Sequence, residues 1–377
     1  MPPLLGASPG PALYVSAFGS DLGNDCRSDL VPCRTIQRAI DVCVTGSMIN
    51  VHGGTYAQSL VVLAGQSSPR GCQGTASAPV TLRSFPGEQA TIVPSGLLML
   101  RVSMGTRYWK FARLRWAANA TLPQGTGNPG LWVSDTAGAD GVRTHHIQFS
   151  DNEFLGQGVN STGFLAAPLT DSVFVVSTKV IGWGTGAEQR HGIYHQGQNG
   201  LVMNNVVYGL PNGFGIQLRG DSDTELCANT IVTHNTVVDM AEHAGMYVEN
   251  NCQGVRIRNN VVAYSGQEEL FGLLGSGADP PASSNRAFTN VIYDTAGPYT
   301  GNSPSRHILD FTDGQGDYAG AGGNRVANPL FTNRAARDYH LLAGSPATGY
   351  ADPAYSPSFD FDGRPRDSAP DAGAYER

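Results

Sequence analysis

The sequence predicts an all-β solenoid, a stack of similar coils built from short strands and turns. Three observations carry this expectation. Six segments align on one column: IQFSDNEF, FVVSTKVI, LVMNNVVY, IVTHNTVV, VRIRNNVV and RAFTNVIY. The shared position is Asn152, Thr178, Asn205, Asn235, Asn260 and Asn290, at steps of 26, 27, 30, 25 and 30 residues. A unit of strand, polar turn and strand cannot bury its apolar face alone, so its neighbours must stack on it. Composition agrees: 48 Gly, 23 Pro and only 15% charged residues describe a turn-rich chain, not a disordered polyelectrolyte. Length agrees too. At 377 residues a single ordinary core would split, whereas a solenoid adds core one coil at a time.

Residues 1–10 read as a loose leader, and Met1-Pro2-Pro3 as a mature start with no cleavable signal visible. Leu13-Tyr14-Val15-Ser16 is a short strand. Ile36, Ala39, Ile40 and Cys43 fall at helical spacing, so a lone amphipathic helix precedes the strands. Such a helix covers the open end of the core and blocks edge pairing. Strands follow at 48–52, 80–83, 90–93, 97–102 and 108–111. The coil pattern is strongest from 142 to 293. Beyond Asn290 the spacing fails, and 295–328 read as long polar loops. The tail alternates turns with short apolar pieces and is expected to seal the far end. One structural domain results: leader and N-terminal cap at 1–45, coils at 46–294, loops and C-terminal cap at 295–377.

Within the coils, the Asn column has a physical reason. Asn side chains stacked at one turn can hydrogen-bond up the pile and satisfy turn backbone groups. Asn205, Asn235, Asn260 and Asn290 are therefore read as structural. Cys227 and Cys252 lie eight residues before Asn235 and Asn260, so they share a column on adjacent coils. Stacked strands about 4.8 Å apart fall within disulfide reach. Cys26 and Cys33 bracket a short loop, leaving Cys43 and Cys72. Three bridges would mean an oxidising, extracellular setting; buried free thiols are the alternative.

The opening carries Tyr14-Val15-Ser16, Arg34-Thr35-Ile36-Gln37-Arg38-Ala39, Val51-His52-Gly53-Gly54-Thr55-Tyr56 and Gly74-Thr75-Ala76-Ser77-Ala78-Pro79-Val80-Thr81-Leu82. The end carries Asn328-Pro329-Leu330-Phe331, Gly344-Ser345-Pro346-Ala347 and Asp371-Ala372-Gly373-Ala374-Tyr375-Glu376. Together these resemble secreted right-handed parallel β-helix proteins of the pectate-lyase-like superfamily, over nearly the whole chain. The resemblance implies a right-handed parallel β-helix with an N-terminal α-helical cap and an irregular C-terminal cap. It speaks to fold more than activity, since that group holds lyases, epimerases and hydrolases.

Three strands align through glycine: Gly192-Ile193-Tyr194-His195-Gln196, Gly215-Ile216-Gln217-Leu218-Arg219 and Gly245-Met246-Tyr247-Val248-Glu249. Alternation turns Ile193, Ile216 and Met246 inward. It turns Tyr194, Gln217 and Tyr247 outward, then Gln196, Arg219 and Glu249. His195 shares the inward column with Leu218 and Val248 unless the strand ends early. The glycines would let a ligand approach the backbone. Arg190, His191 and His243 lie at the edge. Exposed rings beside amides suit a sugar-binding groove. The plainer reading is an Arg219–Glu249 cross-strand ion pair, tyrosines present as good β-formers and a core His195.

The leading reaction is β-elimination on a uronic-acid polymer, with C5-epimerisation sharing its first step. Removing the C5 proton needs the carboxylate neutralised and a base within reach. Arg219 would neutralise, and Tyr194, Tyr247 or His195 would move protons. Glu249 completes the catalytic set, with Arg190, His191, Gln196, Gln217 and His243 binding substrate. Lys110 and Lys179 are the chain's two lysines and neither lies in this patch, which disfavours a lysine base. Calcium is the candidate cofactor, held by Asp221 and Asp223 in Asp221-Ser222-Asp223-Thr224-Glu225, with Asp310, Asp313 and Asp317 as another set. Neither run has EF-hand spacing, and solvated acidic loops are the plainer reading.

A second reading is glycoside hydrolysis by Glu249 with Asp221, Asp239, Glu242, Glu268 or Asp310. A third is a non-catalytic carbohydrate-binding β-helix. Net charge −7 excludes a broad nucleic-acid face, and no apolar run nears the roughly 20 residues that span a bilayer. The partner expected is a polysaccharide or oligosaccharide, met by a secreted monomer. Asn119-Ala120-Thr121 and Asn160-Ser161-Thr162 are glycosylation-type sequons, meaningful in a eukaryotic secretory host.

Overall fold

In the computed structural model, the described residues are 1–67, 70–120, 122, 129–185, 190–222, 225, 227–249, 251–265, 271–274, 286–293 and 323–377. Three parallel sheets wind around one apolar interior. The first runs through ten strands, from Ala12–Val15 to Arg286–Phe288. The second also has ten, from Gly54–Ala57 to Arg325–Val326, and the third has eight, from Leu60–Val62 to Phe271–Leu274. Neighbours within a sheet come from successive coils and pair in parallel. This is a right-handed parallel β-helix.

The described coils turn mainly apolar side chains inward. Trp109, Phe111, Phe149, Phe154 and Phe164 are fully buried. Phe149 stacks on Phe111 at 4.8 Å and meets Phe164 edge-on at 5.1 Å, so the aromatic column passes from coil to coil. Each such side chain contributes roughly 1.5–3 kcal/mol on burial.

The Asn column is a hydrogen-bonded ladder. Asn205 Nδ2 donates to Asn235 Oδ1 (2.9 Å), Asn235 to Asn260 (2.9 Å) and Asn260 to Asn290 (2.8 Å). Asn290 continues the run to Asn324 (2.7 Å), one coil beyond the sequence alignment. The same Oδ1 atoms accept the backbone N–H of the preceding rung. Along this corner Arg113, Asp151, Ser177, Asn204, His234, Asn259 and Thr289, each one residue before the column position, take the left-handed conformation, with φ between 48° and 59°. A sharp corner between first and second sheets results. It turns the side chain of the next residue into the interior, where an Asn amide can satisfy the corner backbone of the preceding coil, as Asn152 does for Leu114 and Asn205 for Thr178.

The cap helix is Ile36–Val42, with Thr35 accepting from Arg38 N and Ile36, Ala39 and Ile40 buried. One expectation about the ends needs correction. The leader is not loose: Leu5 N donates to Gln148 Oε1 (2.7 Å) and Ser8 bonds Thr81 (2.6 Å) on the outer face of the first sheet. The C-terminal tail packs along the outer face of the second sheet. Phe331, Tyr339, Leu341, Ala374 and Tyr375 pack on Val206, Tyr208, Val238, Val261 and Val291 of the second sheet. Apolar residues on the outside of those strands need a cover, and the tail supplies it. Arg366 is buried there, bonded to Glu376 and to Asn204 Oδ1.

Cys26–Cys33 and Cys43–Cys72 are disulfides. The expected third bridge is not formed. Cys227 and Cys252 are register partners, but both stand as buried thiols. In-register parallel strands hold their Cβ atoms about one strand spacing apart, while a disulfide draws them to about 3.8 Å at a χ3 near 90°.

Candidate functional site

The register that assembles the patch is present. Ile193, Ile216 and Met246 are partners, as are Tyr194, Gln217 and Tyr247, and then His195, Leu218 and Val248. The first set is buried inside the coil. The outward column also runs back through Leu165, Trp132 and Arg101. These three were not singled out in the sequence. The signal was there: Gly130-Leu131-Trp132-Val133 and Gly163-Phe164-Leu165-Ala166 repeat the pattern of glycine, inward, outward, inward. Arg101 lies over the Trp132 ring, 5.2 Å from its centroid.

The glycine column serves the core, not a ligand. A Cβ at Gly215 would meet Val237 Cγ1 at 2.5 Å and the Gly245 carbonyl at 2.7 Å. Glycine lets the third sheet start hard against the interior of the second.

Around the outward column, aromatic rings pack into a wall. Phe214, also not singled out in the sequence, stacks on Tyr247 at 4.4 Å and on His191 at 5.4 Å. His191 meets Tyr194 edge-on at 5.1 Å, and His243 lies 5.3 Å from Phe214. The stack leaves Tyr247 and Gln217 each 3% exposed, so both shape the wall more than they meet solvent. Tyr194 is half-buried and Arg219 is exposed.

His191 Nδ1 accepts from Phe214 N (3.2 Å), so the proton of the neutral ring sits on Nε2. Burial first, then the charges of His243, Arg190 and Arg219, push its pKa down to about 3. Arg190 thus stands at the same edge. Gln196 links two groups: its Nε2 donates to Tyr194 Oη (3.2 Å) and to Asp221 Oδ1. Tyr194, Gln196 and Asp221 therefore form one polar cluster at the open end of these strands, and Arg219, whose backbone N–H donates to the His195 carbonyl, follows the neighbouring strand beside Gln196.

His195 is a correction. The strand does not end early; it spans Ile193–His195, and the ring points inward with no exposed surface. Its Nε2 bonds the Val173 carbonyl (3.1 Å), and burial lowers its pKa to about 4. It is a neutral core histidine and cannot reach the outer face. Glu249 follows Val248 in the strand Met246–Glu249, beside the position of Arg219; its side chain lies outside the described residues. Asp223, Glu268, Asp310, Asp313 and Asp317 also lie outside them. Asp239 belongs to the second sheet, where Arg334 and Tyr339 hold its carboxylate, so it is not near this cluster. Glu242 is exposed on the turn before Ala244.

Among the described residues no group of three or more His, Cys, Asp or Glu converges in a way that could hold a metal ion. Two concavities formed by described residues lie away from the patch. One, about 570 Å³, sits between leader, tail and first sheet, and the other, about 670 Å³, beside Asp239 and Arg334. Size alone therefore does not mark the site. The cluster is favoured because outward rings, amides and an exposed guanidinium converge on it.

No protein-family model matches the chain. One curated relative, pectate lyase PEL9 of Emericella nidulans, is 38% identical over 81 residues. That match covers 21% of this chain and 18% of the relative, so the chain aligns with less than a fifth of that protein's length. Among solved structures, a glycoside hydrolase superposes with a TM-score of 0.54 at 8% identity, covering 76% of this chain and 88% of its own. A rhamnogalacturonan lyase superposes at 0.50 and 13% identity, covering 84% and 87%. The chain thus shares the parallel β-helix fold of these structures.

Proposed function

We propose that this chain is an extracellular polysaccharide-processing enzyme that acts on a uronic-acid polymer by β-elimination, or by the epimerisation that shares its first step. One observation carries the reading: an exposed Arg219 directly follows the third-sheet strand Ile216–Leu218, next to the strand that carries the hydrogen-bonded Tyr194–Gln196–Asp221 cluster. The lyases and the hydrolase among the similar proteins support the substrate class. Two disulfides suit an oxidising compartment, and among the described residues no helix is long and apolar enough to cross a membrane.

Arg219 pairs with the C6 carboxylate and disperses the charge that develops when C5 loses its proton. Tyr194, acting as its phenolate, takes that proton and becomes the phenol, its oxygen held by Gln196, which Asp221 in turn orients. In elimination the electron pair left at C5 forms the C4–C5 double bond and expels the C4 oxygen, which takes the proton from the Tyr194 phenol and leaves as a hydroxyl, returning Tyr194 to its phenolate. In epimerisation a proton returns to the other face of C5. His191, neutral and packed on Phe214, positions Tyr194 through its edge contact. Trp132 and Tyr194 offer rings along the strand stack for sugar C–H contacts.

Calcium was the candidate helper for the carboxylate. Asp221 is already engaged by Gln196, and the described residues assemble no cage around it. No step is routed through a metal. Hydrolysis would need a second carboxylate beside Asp221, and Asp239 lies on another sheet.

A panel of acidic and neutral polysaccharides, with and without chelator, tests the reading. Turnover of acidic polymers alone, lost in Arg219→Ala, is expected. Equal turnover of neutral polymers would refute it, and binding with no product would make the chain a carbohydrate-binding β-helix.

A further inference from the structure

Two consecutive histidines mark a corner of the first sheet, apart from the cluster above. His145 and His146 open the strand His145–Ser150. Adjacent strand residues ordinarily point to opposite faces. His146 has φ 52°, and this left-handed step brings its ring back beside His145. The two Nδ1 atoms are 2.7 Å apart. On the preceding coil Tyr108 takes the same conformation (φ 55°), with its ring 4.6 Å from His146 and 5.3 Å from His145. On the following coil the register partner of His145 is Asp171, whose carboxylate is held by Ser172 Oγ and Asn199 Nδ2.

Two nitrogens this close cannot both be bare; one Nδ1–H must donate to the other's lone pair. Burial lowers the pKa of both rings; for His145 the charges of His146 and Arg107 add to it. Asp171 opposes this on both rings, and Asp140 on His145. Arg107, the other charge facing the pair, is ion-paired to Asp140 at 2.9 Å. Neutral imidazole is the common ligand of copper, nickel and zinc. Bonds of 2.0–2.1 Å at square or tetrahedral angles put two ligand nitrogens about 2.9–3.4 Å apart. The pair needs to open by only a few tenths of an ångström.

We propose that His145 and His146 form a two-imidazole chelate for a late first-row divalent cation (Cu²⁺, Ni²⁺ or Zn²⁺). Water completes the coordination, and Asp171 supplies counter-charge. On binding, the proton shared between the Nδ1 atoms moves to Nε2, both rings coordinate through Nδ1, and the metal gives up two waters. No net proton is released from the pair.

The test titrates Cu²⁺, Ni²⁺ and Zn²⁺ separately into the metal-stripped full chain by calorimetry, with electron paramagnetic resonance of the copper form. One equivalent and two coordinated nitrogens are expected. His146→Asn retains a residue that tolerates the left-handed corner, so it separates ligand loss from misfolding. It should weaken binding by at least about 10-fold, the floor seen when even a supporting group is lost. Its copper spectrum should show one nitrogen. His145→Ala should do the same, Asp171→Asn should weaken binding with the two-nitrogen spectrum kept, and His340→Asn should change nothing. Failure of the wild-type chain to bind any of the three metals would overturn the proposal. So would an unchanged affinity in a folded His146→Asn.

Discussion

Replacing Asn235 by Ala strikes the ladder at its middle. The side chain has no exposed surface. Its Nδ2 donates to the Val202 carbonyl (2.9 Å), the Thr233 carbonyl (3.1 Å) and Asn260 Oδ1 (2.9 Å). Its Oδ1 accepts from Asn205 N (3.0 Å) and Asn205 Nδ2 (2.9 Å). Alanine removes all five bonds and leaves their partners buried. At about 0.5–1.5 kcal/mol per lost bond the total is roughly 3–7 kcal/mol, with orphaned buried donors favouring the upper half. A typical domain is stable by about 5–15 kcal/mol, so the variant should lose much of its margin. Asn324 ends the described ladder: it accepts twice from Asn290 and donates once, to the Ala287 carbonyl. Asn324→Ala should cost about half as much. Urea melts of both variants measure the difference. Equal, small losses near those of surface substitutions would refute the view that the ladder holds the corners.

Three other outcomes follow from the same geometry. Arg219→Ala and Tyr194→Phe should each lower kcat/KM on an acidic polymer by about 100-fold or more, with unchanged melting temperature, as expected for groups acting in the transition state. Trp132→Ala should weaken polymer binding while leaving short oligomers nearly unaffected, because its ring lies two coils from Tyr194; affinity against chain length reads this out. The buried histidines set an acid dependence. Burial holds His191 at about 3, His195 at about 4 and His234 well below 6.5, while the unfolded chain titrates each near 6.5. The unfolded state therefore binds more protons below pH 6.5. Stability is full above that pH and falls by about 1.4 kcal/mol per unit for each histidine on the way down to about 4. His195→Leu should remove one such contribution from the slope of unfolding free energy against pH.

The coil register was legible because its signal is local and periodic. An Asn every 25–30 residues fixes the corner, and alternation fixes each face. Long-range cover was not legible. Whether residues 1–10 or the tail lie on a flank or an end depends on which outer strands are apolar, and Val206, Val238 and Val261 read the same inside or out. The outward placement of Tyr194, Arg219 and Gln196, the residues proposed for the site, was legible from alternation. It failed at the glycines, since a missing side chain can make room for a ligand or for Val237, and sequence does not say which. His195 obeyed alternation; placing it at the site required an early strand end that the Val173 carbonyl bond rules out. The cysteine column was read in the right register, but side chains on in-register parallel strands do not meet at bridging geometry.

The most direct measurement follows the products formed from an acidic polysaccharide, recording ultraviolet absorbance of unsaturated sugar ends and new reducing ends together. An absorbance rise that tracks the new ends, and disappears in Arg219→Ala, is the expected result. New reducing ends without absorbance would contradict elimination at this cluster and point to a carboxylate pair instead.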